Sequence, residues 1–166
     1  MSNLGNGSGG RVCMLGIDPG SYATGYAFLT ATGNRAGLLD YGVLRAKKDD
    51  ELIFRIGHII GELEILIEKF KPQALCMEET FFAKNARTAL ILGHIRGAIM
   101  SLAYKCDLVF SEKSPRKVKQ SVTGNGAASK EQVANMMGRL LGVNVGKETA
   151  LDSTDALAVA WAGLFG

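Results

Sequence analysis

The sequence predicts an α/β fold in which a five-stranded mixed sheet is flanked by helices. Short apolar runs bounded by turn residues are typical of buried strands, and longer segments with an apolar period of about 3.6 residues are typical of amphipathic helices. Three strand-like runs come first, followed by helix, strand, helix, strand and further helix. This order predicts strands 1 to 3 as antiparallel neighbours and strands 4 and 5 as parallel to strand 1.

Length and composition favour one folded domain. Of the 166 residues, 47% are hydrophobic and 21% charged, which excludes general disorder. Residues 1–10 are predicted to be a flexible tail because they are mostly glycine and small polar residues, and residues 11–166 a single domain. The chain shows neither a membrane span nor a signal peptide, so we expect a cytoplasmic protein. Three cysteines without a CxxC pair indicate reduced thiols and argue against zinc.

The predicted strands follow from the positions of turn residues. The strand-like runs are 12–17, 24–30, 38–46, 74–77 and 107–110. Pro19 and Gly20 stop the first run, so Asp18 is expected at the carboxyl end of strand 1. The fourth run ends at Glu78 and Glu79. Acidic side chains therefore follow two of the predicted strands directly.

Helices are predicted between and after these strands. They cover residues 49–70, 85–104, 130–141 and 152–164, with Ser129 as the expected cap of the third. The second carries small residues at four-residue intervals, namely Ala89, Gly93, Gly97 and Ser101. Such a stripe indicates close packing, either against the domain's own sheet or against a second copy of the protein.

Four carboxylates stand where this kind of fold places its sites. Asp18 and Glu78 would point into one crevice if strands 1 and 4 are neighbours, because parallel strands end at the same edge. Asp152 and Asp155 share one face at the start of the last helix. Taken alone, Asp152 could be the helix cap and Asp155 a partner of the helix dipole. The apolar run after them, however, predicts a helix buried almost all round, which leaves these two carboxylates little solvent. Strand alternation allows only one of Glu78 and Glu79 to serve, without saying which.

The mutual repulsion of these carboxylates determines the chemistry open to them. They would bind protons unless a cation lies among them, and oxygen ligands favour Mg²⁺ or Mn²⁺. Two such ions about 3.5 to 4 Å apart can activate a water and stabilise the leaving oxygen at phosphorus, which is nuclease chemistry. His58 and His94 are interpreted as structural, and no serine has a histidine at a suggestive spacing, so a Ser/His hydrolase is not expected.

Residues 111–130 concentrate positive charge. The whole chain has a net charge of +3. This segment alone carries +4, because Glu112 is outnumbered by Lys113, Arg116, Lys117, Lys119 and Lys130. A local excess of this kind suits an edge that binds phosphates, although charge alone is equally consistent with a solvated loop.

Five ordered blocks carry a resemblance that covers nearly the whole chain. They are Gly16-Ile17-Asp18-Pro19-Gly20-Ser21 with Thr24-Gly25, Met77-Glu78 with Phe81-Phe82-Ala83-Lys84-Asn85, Gly93 with Arg96-Gly97, Val118-Lys119-Gln120 with Gly124-Asn125-Gly126 and Lys130, and Asp152-Ser153-Thr154-Asp155-Ala156-Leu157-Ala158. The chain resembles the RuvC-type Holliday-junction resolvases, bacterial endonucleases of the RNase H-like superfamily. Within this resemblance, the spacing between the glutamate and the segment Phe81-Phe82-Ala83-Lys84-Asn85 selects Glu78 over Glu79.

The resemblance implies an RNase H-like fold, a homodimer and a site of two Mg²⁺ ions, with Mn²⁺ as an alternative. Its ligands would be Asp18, Glu78, Asp152 and Asp155. The implied contacts with DNA are Phe81, Lys84, Asn85, Arg116, Lys119 and Lys130, and the small-residue stripe becomes the expected dimer interface. The implied activity is symmetric nicking of four-way DNA junctions in recombination and repair, together with a RuvA/RuvB-like branch-migration motor. The alternatives are a related nuclease for another branched or RNA-containing substrate, and a non-catalytic junction-binding protein.

Overall fold

The structure is a computed structural model that describes residues 10–79, 85–143 and 151–166, and of residues 151 and 152 only the backbone. Several sequence predictions fall outside this range. They are the tail as far as residue 9, the DNA contacts Phe81 and Lys84, and the side chain of Asp152.

Within the described residues, five strands form one mixed sheet. They are β1 (Val12–Asp18), β2 (Ala23–Thr32), β3 (Arg35–Arg45), β4 (Ala74–Glu78) and β5 (Val109–Lys113). Their order is β3-β2-β1-β4-β5; β2 is antiparallel to both of its neighbours, and β4 is parallel to β1 and β5. The predicted sheet is confirmed, and because β1 and β4 are neighbours, their carboxyl ends lie at the same edge.

The described residues also contain five helices. They are α1 (Leu52–Phe70), α2 (Ala86–Lys105), α3 (Pro115–Thr123), α4 (Lys130–Leu141) and α5 (Leu151–Phe165). The sequence pattern did not predict α3, because its only buried side chains are Val118 and Val122 among basic and polar residues. The cap expected at Ser129 is confirmed: its hydroxyl accepts from the N–H of Gln132, whose side chain accepts from the N–H of Ser129.

Helices cover both faces of the sheet. Along β1, Leu15 and Ile17 pack into a cluster with α1 and α2, whereas Met14 packs into a second cluster with α3, α4 and α5. This alternation is expected for a strand buried on both faces. The edge where β1 and β4 end therefore lies between two layers of helices, and side chains from either layer can reach it.

The last helix crosses β1 at very short distance. A Cβ atom at Gly16 would lie 2.4 Å from the main-chain nitrogen of Ala160 and 2.5 Å from the main-chain oxygen of Ala156. Ala156 to Ala160 are at most 1% exposed, as the apolar run predicted. Glycine at position 16 thus permits the close crossing, which brings the first turn of α5 to the end of β1.

Two element boundaries differ from the prediction. β5 begins at Val109 and extends to Lys113, because Asp107 adopts a left-handed conformation (φ 58°) after α2 and cannot start a strand. α1 begins at Leu52 rather than at residue 49, and Ile53, which the apolar period placed on the buried face, is 68% exposed.

The small-residue stripe of α2 faces solvent. Its four residues, Ala89, Gly93, Gly97 and Ser101, are all exposed. α2 instead packs on the sheet through its opposite side, which includes Ile95, Ile99 and Leu102. Of the two alternatives for the stripe, packing against the domain's own sheet is therefore excluded.

The structure also bears on membrane spans and on the cysteine thiols. None of the helices in the described part combines the length and the apolar character that crossing a bilayer requires. Cys13 and Cys76 are buried. Burial raises the pKa of both thiols, so neither is activated as a nucleophile.

Candidate active site

A cleft of about 420 Å³ opens where β1 and β4 end. Acidic and basic side chains line it together: Asp18, Glu78, Glu79, Lys119, Lys130 and Asp155. The structure thus brings three of the four predicted carboxylates to one place. The fourth, Asp152, lies three residues before Asp155 in α5, and its side chain is outside the described residues.

A hydrogen-bonded turn follows Asp18 at the end of β1. Asp18 pairs with Gly25 of β2, and the chain turns between them. The buried hydroxyl of Thr24 donates to the carbonyl of Gly20 at 3.0 Å and accepts from the N–H of Gly20 at 3.3 Å. These two hydrogen bonds close the turn and limit the positions open to the Asp18 carboxylate.

Arg55 ties the same turn to α1. Its guanidinium donates to the carbonyl of Ser21 at 3.2 Å and lies 4.3 Å from the ring centre of Tyr22. The Arg55 side chain belongs to the buried face of α1, at 6% exposure. Sequence reasoning missed this residue, and the only available signal was a cation one helical turn before the buried position of Ile59.

Both glutamates that follow the fourth strand-like run line the cleft. Glu78 is the last residue of β4 and pairs with Lys113 of β5. Glu79 lies beyond the strand, where its N–H donates to the carbonyl of Lys113 at 2.9 Å. Because side-chain alternation ends with the strand, it does not exclude Glu79 from the cleft. Of the two glutamates, only Glu78 belongs to β4, and its carboxyl group shares a hydrogen bond with Asp18.

Negative charge accumulates around Glu78. Burial, followed by the charge of Asp155, raises the pKa of the Glu78 carboxyl, while Lys130, Lys119 and the hydrogen bond with Asp18 act in the opposite direction. The lysines therefore offset only part of the cost of collecting carboxylates in a half-buried cleft. Such an environment favours the arrival of a further cation.

Lys130 forms an ion pair with Asp155. Burial by itself would lower the pKa of Lys130, but the hydrogen bond to Asp155 and the charges of Asp155, Asp18 and Glu78 raise it. The Lys130 side chain is 62% exposed and that of Asp155 17% exposed. Lys130 thus reaches from the solvent side of the cleft onto a carboxylate that is largely covered.

The residues of the cleft fit a hard divalent cation. Carboxylate oxygens are the available donors, and the described lining contains neither cysteine nor histidine. In the arrangement seen, no three His, Cys, Asp or Glu side chains of the described residues gather as ligands of one ion. Lys130 is the cation that lies on Asp155 instead.

A second cleft of about 510 Å³ continues the basic surface along α3. Arg116, Lys119 and Gln120 line it together with the turn at residues 124–127, so Lys119 belongs to both clefts. The central part of the positive segment is therefore the helix α3, beside the acidic cleft.

Asn85, another predicted DNA contact, is exposed and caps α2 by accepting from the N–H of Thr88 at 2.9 Å.

The chain is similar to proteins of one family over most of its length. The family profile described as "Crossover junction endodeoxyribonuclease RuvC" matches residues 14–162. The protein of that name from Chlorobaculum parvum is 43% identical over 151 residues, which are 91% of this chain and 80% of that protein. The one from Chlorobium phaeobacteroides is 45% identical over 147 residues, which are 89% and 78%.

Solved structures lead to the same family. T. thermophilus RuvC in complex with Holliday junction substrate matches with a TM-score of 0.86 and 30% identity, covering 93% of each chain. T. thermophilus RuvC in another structure matches with a TM-score of 0.82 and 29% identity, covering 91% of this chain and 92% of that chain. Sequence and overall geometry therefore agree, and the chain belongs to the RuvC family of crossover junction endodeoxyribonucleases.

Proposed function

We propose that this protein is a metal-dependent endonuclease that resolves four-way DNA junctions by symmetric paired nicks in recombination and repair. One observation carries the proposal: Asp18, Glu78 and Asp155 share a cleft with Lys119 and Lys130. Carboxylates can hold divalent ions beside a phosphate, and lysines can bind the phosphate itself. Family membership supports the junction as substrate, since the T. thermophilus relative is solved with a Holliday junction.

The proposed ligands of two Mg²⁺ ions, or of Mn²⁺, are Asp18, Glu78 and Asp155, completed by Asp152. Bound there, the ions would supply activation of a water and stabilisation of the leaving oxygen. The donor chemistry supports this assignment, and so does the pKa of Glu78, which burial and the charge of Asp155 raise. A divalent cation would relieve that accumulated charge.

In the proposed reaction, Lys130 changes its partner. The Lys130 side chain is largely exposed and its ammonium group lies on Asp155, so it can turn from that carboxylate to a phosphate oxygen of the substrate. Asp155 then becomes available as a ligand. Lys119, at the border of the two clefts, would hold the phosphate from the side of α3.

Further DNA contacts are proposed along the same edge. Arg116 lies beside Lys119 on α3, and its cleft suits a neighbouring phosphate of the same strand. Phe81 would contact unpaired bases at the junction centre by stacking. Lys84 and Asn85 complete the proposed contacts on the strength of the family resemblance.

A homodimer is proposed through α2. Its exposed small residues lie beside large apolar side chains that are also exposed: Leu90 at 65%, Met100 at 45% and Tyr104 at 89%. Apolar side chains around a glycine stripe suit close packing of two copies of the helix. A two-fold dimer presents two clefts to the two-fold symmetric junction, which accounts for paired nicks.

The proposal also covers the location of the protein in the cell and the partner complex that it works with. We place the protein in the cytoplasm, in keeping with buried thiols that carry no disulfide. A RuvA/RuvB-like branch-migration complex is proposed as the partner that delivers the junction, because the family resemblance implies it.

A synthetic four-way junction incubated with Mg²⁺ tests the activity. The wild-type protein should nick two opposed strands at symmetric positions, and Asp18→Asn should bind the junction without cutting it. Equal cutting by Asp18→Asn would refute the assigned site. Preferred cutting of an RNA–DNA hybrid over the junction would support the related nuclease, and binding without cleavage in both Mg²⁺ and Mn²⁺ would support the non-catalytic protein.

The dimer is tested separately with Gly97→Glu. Gly97 is exposed and far from the core side of α2, so the substitution should leave the fold intact while introducing two close like charges at a two-fold interface. Sedimentation should show a dimer for the wild-type protein and a monomer for the variant, which should also lose paired nicking. An unchanged dimer would place the interface elsewhere.

A further inference from the structure

One arginine of α2 reaches the end of β4 at the candidate active site. Arg96 donates from Nη1 to the main-chain carbonyl of Glu78 at 2.6 Å. Its Nη2 forms an ion pair with Glu112 of β5. The side chain is only 18% exposed. A single guanidinium therefore spans the ends of two neighbouring strands, directly at the residue that we propose as a metal ligand.

The carbonyl of Glu78 lies just past the end of the ladder between β1 and β4, although Glu78 still pairs with Lys113 of β5. Pairing between β1 and β4 ends at Ile17 and Met77, one residue before Glu78. A charged donor makes a stronger hydrogen bond than a neutral one, and a carbonyl that is left without a donor inside a protein is destabilising. Arg96 thus extends the support of β4 past the last pair of the β1 ladder.

The helix that carries Arg96 is packed firmly on the sheet. Its residues Ile95 and Ile99 are buried against the sheet at 1% and 0% exposure. The fork of a guanidinium is planar and rigid, so it can hold the carbonyl and Glu112 at fixed relative positions. Lysine, with one point charge on a flexible stem, can reproduce one of these contacts at a time.

We infer that Arg96 is a positioning residue that fixes the main chain at Glu78, so that its carboxylate meets Asp18 and Asp155. The contact is with the carbonyl and not with the carboxylate, so the role is geometric. Catalytic constellations tolerate deviations of about 0.5 Å, and a shift of about 1 Å can cost about 100-fold in rate. This inference rests on the proposed metal site.

The test compares Arg96→Gln and Arg96→Lys with one control variant. Lys105→Gln is the control, because it removes an exposed cation of the same helix that lies away from the cleft. Binding of Mn²⁺ alone is measured by calorimetry, junction binding in EDTA by gel shift, and cleavage as a function of Mg²⁺ concentration. Thermal unfolding shows whether each variant is folded.

Arg96→Gln should weaken Mn²⁺ binding about tenfold and lower the cleavage rate at saturating Mg²⁺ by about 100-fold, while junction binding stays within about twofold. Arg96→Lys should restore part of both losses, and Lys105→Gln should stay within about twofold of wild type. If Arg96→Gln does not fold, Arg96→Lys decides: wild-type metal binding and cleavage in that variant would overturn the inference.

Failure of this inference is distinguishable from failure of the proposed function. Folded Arg96→Gln that binds Mn²⁺ and cuts like the wild type overturns only the role of Arg96. Glu78→Gln is measured in parallel, and if it binds Mn²⁺ and cuts like the wild type, the proposed metal site itself is wrong.

Discussion

The close crossing of α5 over β1 leads to a sharp prediction for Gly16→Ala. The added methyl group would lie 2.4 Å and 2.5 Å from two main-chain atoms of α5, and main chain inside a buried helix cannot move aside alone. Overpacking costs about 1–3 kcal/mol, and a backbone clash of this depth belongs at the upper end. For a domain of this size, about 3 kcal/mol corresponds to a loss of about 6–12 °C in Tm.

Activity should fall as well, because α5 carries Asp155. If the helix moves outward by about 1 Å to admit the methyl group, Asp155 moves relative to Asp18, and cleavage should drop by about 100-fold. Thermal unfolding followed by circular dichroism in EDTA measures the first effect, so that bound metal does not mask it. Junction cleavage in Mg²⁺, well below the melting temperature, measures the second.

Gly57→Ala is the matched control. Gly57 is an exposed glycine inside α1, and no described atom lies within 4 Å of a Cβ built there. Alanine in a helix interior is favoured over glycine by about 0.5–1 kcal/mol, so this variant should melt about 1–4 °C higher than wild type. A lower Tm for Gly16→Ala together with a higher Tm for Gly57→Ala would identify the close crossing of α5 over β1 as the cause, because both variants add the same methyl group. A Gly16→Ala protein with wild-type Tm and activity would refute the packing of α5 on β1 as described.

Three further predictions concern the cleft and its surroundings. Burial and Asp155 raise the pKa of Glu78, so its ionised form destabilises the metal-free fold as the pH rises from about 4.5 through the raised pKa. Glu78→Gln should therefore raise Tm in EDTA by a few degrees at pH 7 and should leave Tm unchanged in acid. An equal gain in Tm at both pH values would contradict this cause. Lys119→Gln should weaken junction binding and reduce the slope of log affinity against log salt by about 1, whereas an unchanged slope would mean that Lys119 contacts no phosphate. Ser129→Ala removes the capping box of α4 and should cost about 1 kcal/mol, or about 2–4 °C in Tm, whereas an unchanged Tm would mean that the box does not stabilise this helix.

The strands and the carboxylates at their ends could be predicted because their signals are local. Pro19 and Gly20 terminate an apolar run directly after Asp18, and a second such run ends at Glu78. The order of strands and helices then placed both ends at one edge of the sheet, as the structure has them. The apolar run after Asp155 likewise predicted a helix buried almost all round, and residues 156–160 are buried.

Other features had no local signal. α3 is too short and too rich in lysine and arginine to show an apolar period, although two valines bury one of its faces. The stripe through Gly93 and Gly97 has the same sequence pattern whether it meets a sheet or faces solvent. Only the direction in which Ile95 and Ile99 pack decides between the two.

The sequence by itself determined the five strands, the helices other than α3 and which acidic residues stand at strand ends, because apolar period and turn residues act within about one helical or strand segment. The tertiary structure alone decided that Arg55 reaches Ser21, that Arg96 reaches the carbonyl of Glu78 and that Lys130 lies on Asp155. Each of these contacts joins residues 18 to 34 positions apart in the chain. Such contacts depend on how each helix crosses the sheet, and that geometry arises from packing both layers at once rather than from any one segment.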